Sequence, residues 1–321
     1  VDPIRQQTRG YLLVVVTAVF WGFSGSLAKY LMQGAITPLT LTLGRSLITA
    51  AALLVFLLVR DPGALRLTRR SAMWAAGFGL SLAITQICYF SAIERLNVAA
   101  AILLEYMAPG IVVAFGWLFL KRRVTRITLA SLVSVLIGSA LVVEAYDTEA
   151  LSLSGVGVAF GVTAALAFST YILIGEHLQK LSMGVAAQLF YGFTLTSIVL
   201  VLLEPPWSIA PEVYRGPTLA LVGVVGVFGT LVPFACFFAS LRYIDAGHAT
   251  IVSTLEPVVA GLVSLVWFGE VFSVPQLIGA ALVIGAIVAL QRDGPATEAI
   301  AAPELAVFTE TASARETDPS V

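Results

Sequence analysis

Three ionisable residues, Arg45, Glu105 and Glu256, stand inside long apolar stretches of this chain. A charge at the middle of a membrane-spanning helix costs roughly 2.5–3.5 kcal/mol or more, so such residues persist where they bind or move something, or where a partner neutralises them. Arg45 and Glu105 each lie about seven residues into their stretch from the same side, about 10 Å deep at a rise of about 1.5 Å per residue. They are expected to pair or to share a polar network, serving either helix packing or a gate near the outer mouth. Glu256 lies about ten residues into its stretch, near the midplane and directly before Pro257. It reads as a proton-coupling carboxyl or as a buried acid bonded to a freed backbone carbonyl. His248, near the start of the same stretch, reads as an interfacial residue.

A second set of side chains is suited to holding a solute. Trp21 lies near the middle of the first apolar stretch beside Gly22, Ser24 and Gly25, where small neighbours leave room for a ring to line a cavity. Thr85, Gln86 and Tyr89 follow on adjacent turns of the third stretch, and Tyr106, Tyr171 and Tyr191 add hydroxyl-bearing rings. A pocket of rings with few charges suits a neutral, zwitterionic or aromatic solute. It suits a nucleotide badly, because phosphates would call for several intramembrane Arg or Lys. Pro109, Pro233 and Pro257 fall inside apolar stretches, where proline removes a backbone hydrogen bond and kinks a helix. Kinked or broken helices at matching repeat positions point to a transport site, and curvature for packing is the plainer alternative. Trp74, Trp117, Trp207 and Trp267 sit near stretch ends, as in an aromatic belt. The two His and two Cys have no metal-ligand spacing, and no phosphate-binding glycine loop or nucleophile–base set is present. No enzyme activity, metal or other cofactor is therefore expected.

These residues need elements to hold them in a bilayer. Hydrophobic residues make up 59% of the 321 and charged residues 12%, against roughly 45–50% and about 25% in soluble chains. Ten stretches are long enough to cross as helices, near 11–31, 38–59, 72–93, 98–119, 125–144, 155–176, 184–203, 217–241, 246–268 and 274–291. Helices are expected rather than strands because lipid cannot satisfy open backbone groups. The chain begins Val1-Asp2-Pro3, as a processed chain would, and residues 11–31 are too long and too well followed for a cleaved signal. Residues 88–109 recur in degenerate form at 236–257, an offset that sets Cys88 against Cys236, Ala101 against Ala249 and Pro109 against Pro257, with Asn97 answered by Asp245. A weaker match sets Phe23 and Ser24 against Phe168 and Ser169. The expected fold is an all-α integral membrane protein of ten helices in two five-helix repeats, 1–150 and 151–291. With an odd number of helices in each, the second is inverted relative to the first.

With the N-terminus inside, fourteen Lys and Arg fall on the cytoplasmic side, against Lys29, Arg95 and Arg215 outside and Arg45 within a helix. Both termini are therefore expected in the cytoplasm of a multi-pass inner-membrane protein. Residues 292–321 turn to Asp293-Gly294-Pro295 and an Ala, Thr and Glu tail, which reads as disordered. The two cysteines read as small buried residues, and the net charge of -1 suggests no nucleic-acid partner. The expected partners are a small-molecule solute and the bilayer itself, with a monomer as the simplest assembly.

The early Trp21-Gly22 pair, the Leu255-Glu256-Pro257-Val258 stretch, and Phe268-Gly269-Glu270 before Gln276 and Gly279 resemble the EamA-type proteins of the drug/metabolite transporter superfamily. The likeness spans roughly residues 10 to 291. It departs in the first half, where Lys121-Arg122-Arg123 stands in place of Gly269-Glu270. In aromatic content the chain looks most like the aromatic amino-acid exporters of the YddG type. The resemblance implies a secondary transporter exporting small metabolites, amino acids and aromatic ones first, by alternating access around a central cavity. A channel-like facilitator and an exporter of drugs or lipids are the alternatives.

Overall fold

The computed structural model describes residues 3–32, 36–96, 98–145, 154–269 and 271–292, and every regular element among them is helical. The expected tail beyond residue 292, Asn97 and Glu270 lie outside the described residues. The α-helices are α1 (Pro3–Leu31), α2 (Pro38–Arg60), α3 (Arg69–Arg95), α4 (Val98–Glu105), α5 (Ala108–Leu118), α6 (Arg126–Val142), α7 (Gly155–Lys180), α8 (Val185–Leu203), α9 (Gly216–Gly226), α10 (Val232–Ser240), α11 (Ala246–Ser253), α12 (Glu256–Phe268) and α13 (Val274–Gln291). Nine stretches among the described residues are long and apolar enough to span a membrane, and α6 adds a shorter apolar helix of 17 residues. The tenth expected stretch, 125–144, is occupied by α6 from Arg126 to Val142, and Glu144 takes a left-handed φ of 57° beyond it.

The helix starts follow from side chains that accept the first free N–H groups. Thr37, Thr68, Thr125 and Ser154 cap α2, α3, α6 and α7, and Ser273 with Gln276 forms a reciprocal capping box on α13.

Two stretches expected as continuous helices are broken, and a third is distorted. The stretch over 98–119 divides into α4 and α5, that over 246–268 into α11 and α12, and that over 217–241 into α9 and α10 through a π-helical turn at Val227–Leu231. In each case the proline is the second residue of the new helix: Pro109 in α5, Pro257 in α12 and Pro233 in α10. A proline there lacks a donor that the first turn does not use, so it starts a helix easily but cannot continue the one before it. Pro109 and Pro257 therefore mark helix starts, whereas Pro233 lies within a helical run that continues from Gly216 to Ser240 through the π-helical turn.

The offset of the sequence repeat reappears in the elements. Adding 148 to the bounds of α4 gives those of α11, and the residues preceding α5 and α12, Met107 and Leu255, have φ, ψ of -66°, -19° and -65°, -19°. Helices α6 and α13, which share the same offset, pack on each other, and Ser134 Oγ donates to the carbonyl oxygen of its own counterpart, Leu282, at 3.2 Å. Their crossing is close because Gly138 and Gly279 face each other. A Cβ on either would lie 2.7 or 2.5 Å from the other's carbonyl oxygen.

Tyr11 donates its hydroxyl to the Leu290 carbonyl oxygen at 3.1 Å, so α1 begins and α13 ends at the same end of the bundle, here called proximal. The distal end is closed by Leu27, Leu31, Ile36, Leu41, Val213, Val222 and Val225. Glu204, after α8, strengthens the closure by accepting the hydroxyls of Thr37 at 3.0 Å and Thr40 at 2.7 Å.

Candidate functional site

The breaks in the two repeat-related stretches deliver the carboxylates. Glu105 is the last residue of α4 and Glu256 the first of α12, so each projects where a helix is interrupted. Because Pro109 and Pro257 carry no N–H, the carbonyls of Glu105 and Ser253 lose their usual donor four residues on, leaving polar backbone beside the side chains. Half-helix ends of this kind, with free N–H and C=O groups facing the middle of a bundle, form the ion and solute sites of many transporters.

Arg45 comes from α2, which lies tightly along α9. A Cβ on Gly44 would meet Val222 at 2.7 Å, and Thr49 donates to the Gly226 carbonyl oxygen at 3.1 Å. The guanidinium interacts electrostatically with Glu105, Glu256, Tyr89 and Tyr171, and Tyr106 lies in the field of both carboxylates. Four stretches besides α2 thus converge on one polar cluster. Arg45, Glu105, Glu256, Tyr89 and Tyr106 are all half-buried. Arg45 forms no direct ion pair with either carboxylate, and its Nε has no hydrogen-bond partner among the described residues. The network foreseen between Arg45 and Glu105 therefore includes Glu256, and direct pairing is absent from it.

An aromatic wall adjoins this cluster. The Trp21 ring meets Phe234 edge-on at 5.4 Å and stacks with Phe237 at 5.9 Å. Phe234 continues to Phe193 at 5.0 Å and to Tyr171 at 6.3 Å, and Phe78 joins Tyr171 to Phe238. Trp21 is half-buried, and its neighbour Gly22 lets α1 approach the start of α12, where a Cβ would lie 2.8 Å from the Glu256 carbonyl oxygen. The wall residues Phe234, Phe237 and Phe238 are missing from the sequence-based set, although their spacing after Pro233 puts three rings on one helical face.

The other expected site residues are placed as follows. Gln86 is half-buried on the same helix as Tyr89, whereas Thr85 is buried and gives its hydroxyl to the Ser81 carbonyl oxygen at 2.8 Å. Ser24 is buried against Gly229 of the π-helical turn. Tyr191 points elsewhere, donating to the Leu65 carbonyl oxygen at 2.7 Å. His248 is buried rather than interfacial, with Nδ1 at 2.6 Å from Asp245 Oδ2. Asp245 Oδ1 also caps α11, accepting the N–H groups of Gly247 at 2.8 Å and His248 at 3.2 Å. Burial pushes the Asp245 carboxyl up, but the hydrogen bond and charge of His248, with Arg122, outweigh it and hold the carboxyl at about 2.

Comparison with known proteins decides what kind of machine this is. The model of the EamA-like transporter family matches twice, over residues 8–144 and 155–291. The chain belongs to the EamA-like transporter family. Its relatives include the inner membrane transporter YicL of Salmonella typhimurium, 26% identical over 289 residues that cover 89% of this chain and 96% of YicL. A transporter of Archaeoglobus fulgidus is 28% identical over 85% of this chain and 97% of its own length. The pseudopaline exporter CntI of Pseudomonas aeruginosa is 28% identical over 87% and 95%. A solved crystal structure with 19% identity superposes with a TM-score of 0.77 over 90% of this chain and 98% of its own, which shows a shared fold. This EamA protein is thus a multi-pass membrane transporter, and its central polar cluster lies between segments from both matched halves.

Proposed function

We propose that the protein is a secondary exporter of small zwitterionic metabolites, amino acids and aromatic ones first, in the bacterial inner membrane. The observation that carries this reading is that Arg45, Glu105 and Glu256 share one electrostatic cluster with no ion pair between them. An amino acid between them would satisfy all three, its carboxylate taking the guanidinium fork and its ammonium the two carboxylates. Trp21, Tyr89 and Tyr106 would hold the side chain, which favours an aromatic ring. The kinship with an exporter supports the direction of transport. The Lys and Arg count supports a cytoplasmic position for residues 3 and 291. Glu256 is the proposed site where a proton exchanges with the solute.

The test uses purified protein in liposomes with labelled Phe, Trp and Thr, with phenethylamine and phenylalaninamide as analogues lacking the carboxylate. Saturable uptake of the amino acids but not of the two analogues, lost in Arg45→Gln, is expected. Equal uptake of phenethylamine and Phe would remove the zwitterion reading, and non-saturating flux would point to a channel.

A further inference from the structure

Away from the central cluster, a cavity of about 500 Å³ opens at the proximal end between α5, α7 and α11. Its wall carries five cations, Lys121, Arg122, Arg123, Lys180 and Arg242, and two carboxylates, Glu176 and Asp245. Both carboxylates are already engaged. Glu176 accepts from Arg122 and lies 3.5 Å from Lys180, and Asp245 is committed to His248 and the α11 cap. Lys121, Arg123 and Arg242 have no ion-pair partner among the described residues. A surplus of loop cations on one face is ordinary for a membrane protein. Three unpaired, exposed cations gathered at the mouth of one half-open cavity go beyond that rule.

The backbone shows a further asymmetry. Arg122 N–H closes the end of α5 by donating to the Gly116 carbonyl oxygen at 2.9 Å, and Lys121 occupies the left-handed position of this motif with φ 54°. Glycine is the usual residue there. The repeat-related position holds it, as Gly269 with φ 70°. The first half therefore keeps a strained lysine where the second has an unstrained glycine. Immediately before it, Trp117, Leu118, Phe119 and Leu120 are all exposed, an apolar surface leading to the basic cavity.

We propose that this cavity binds a phosphate-bearing anion, with the headgroup of an acidic phospholipid as the source that the apolar run Trp117–Leu120 favours. Its phosphate would sit among Lys121, Arg123 and Arg242 while its chains lie along the exposed run, as basic pockets between membrane helices hold such lipids. The site is independent of the transport reading.

The test follows thermal unfolding of the purified full chain while short-chain phosphatidylglycerol, short-chain phosphatidylcholine or inorganic phosphate is titrated. Phosphatidylglycerol is expected to raise the Tm saturably and phosphatidylcholine to leave it unchanged. Each cation removed should weaken the apparent affinity about 5-fold, so that Arg123→Gln with Arg242→Gln weakens it about 30-fold. Lys121→Gly should weaken the lipid effect about 5-fold while raising the Tm of the lipid-free protein, an opposition that a merely structural lysine would not produce. A response to inorganic phosphate equal to that to phosphatidylglycerol assigns the site to a soluble phosphate. Equal responses of wild type and the double variant, or equal responses to the two lipids, overturn the proposal.

Discussion

Arg45 is tolerable only because of what faces it. A lone arginine at membrane depth costs roughly 3 kcal/mol or more, and Glu105 and Glu256 are the carboxylates in its field. Removing both should leave an uncompensated charge and lower stability by about 3 kcal/mol. Adding Arg45→Met to the Glu105→Gln/Glu256→Gln pair should restore the Tm without restoring transport. If the double variant is as stable as the wild type, the three residues do not form one electrostatic unit. Asp245 makes a different, pH-readable contribution. Its carboxyl lies below its unfolded value of about 4, so its stabilisation is complete above that value and is lost as pH falls toward about 2. Unfolding of Asp245→Asn should therefore depend less on pH between about 4 and 2 than wild type, and Asp245→Ala should in addition cost about 1 kcal/mol for the lost cap. Unchanged pH dependence in Asp245→Asn would mean that the carboxyl is not held by His248.

At the scale of elements, association inside lipid rests on close packing rather than on a hydrophobic drive, so glycines at crossings carry much of it. Gly279 has the Gly138 backbone against it, whereas Gly285 on the same helix has open space around it. Gly279→Ala should cost roughly 1–3 kcal/mol, and Gly285→Ala should be neutral or slightly stabilising, both read from thermal unfolding in detergent. Equal effects would deny the α6–α13 crossing. Helix positions were largely legible in the sequence because the bilayer sets a length that an apolar run must meet. The breaks were not, because a proline inside an apolar run has the same signature whether it bends one helix or begins another. Arg45, Glu105 and Glu256 stood out as charges among aliphatic residues, and only tertiary structure shows that three distant segments bring them to one place. Phe234, Phe237 and Phe238 were overlooked for the opposite reason, being indistinguishable by type from residues that face lipid. Tyr191 looked like a pocket ring by composition, yet a hydroxyl follows the nearest free acceptor, which is the Leu65 carbonyl.

For the whole molecule, the two ends differ in a way that fits one state of an alternating cycle. The distal end is sealed by an apolar cluster and by Glu204 bonded to Thr37 and Thr40, and no such seal is found at the proximal end among the described residues. A solute that draws Arg45 of α2 toward the α4–α5 and α11–α12 breaks pulls on the helix that carries Thr40 and Leu41 of the distal seal. It can favour distal opening only by binding the open form more tightly, about 1.4 kcal/mol for each tenfold shift in population. Val222, 3% exposed within the seal, reports on this if changed to cysteine in a chain with Cys88→Ala and Cys236→Ala. A membrane-impermeant maleimide should label Val222→Cys slowly in the solute-free protein and roughly tenfold faster with a transported amino acid, a factor equal to that differential affinity. The acceleration should vanish in Arg45→Gln, because the solute then has no grip on α2. Labelling that is fast without solute, or indifferent to it, would show that the seal does not move in the cycle and that solute passes by another route.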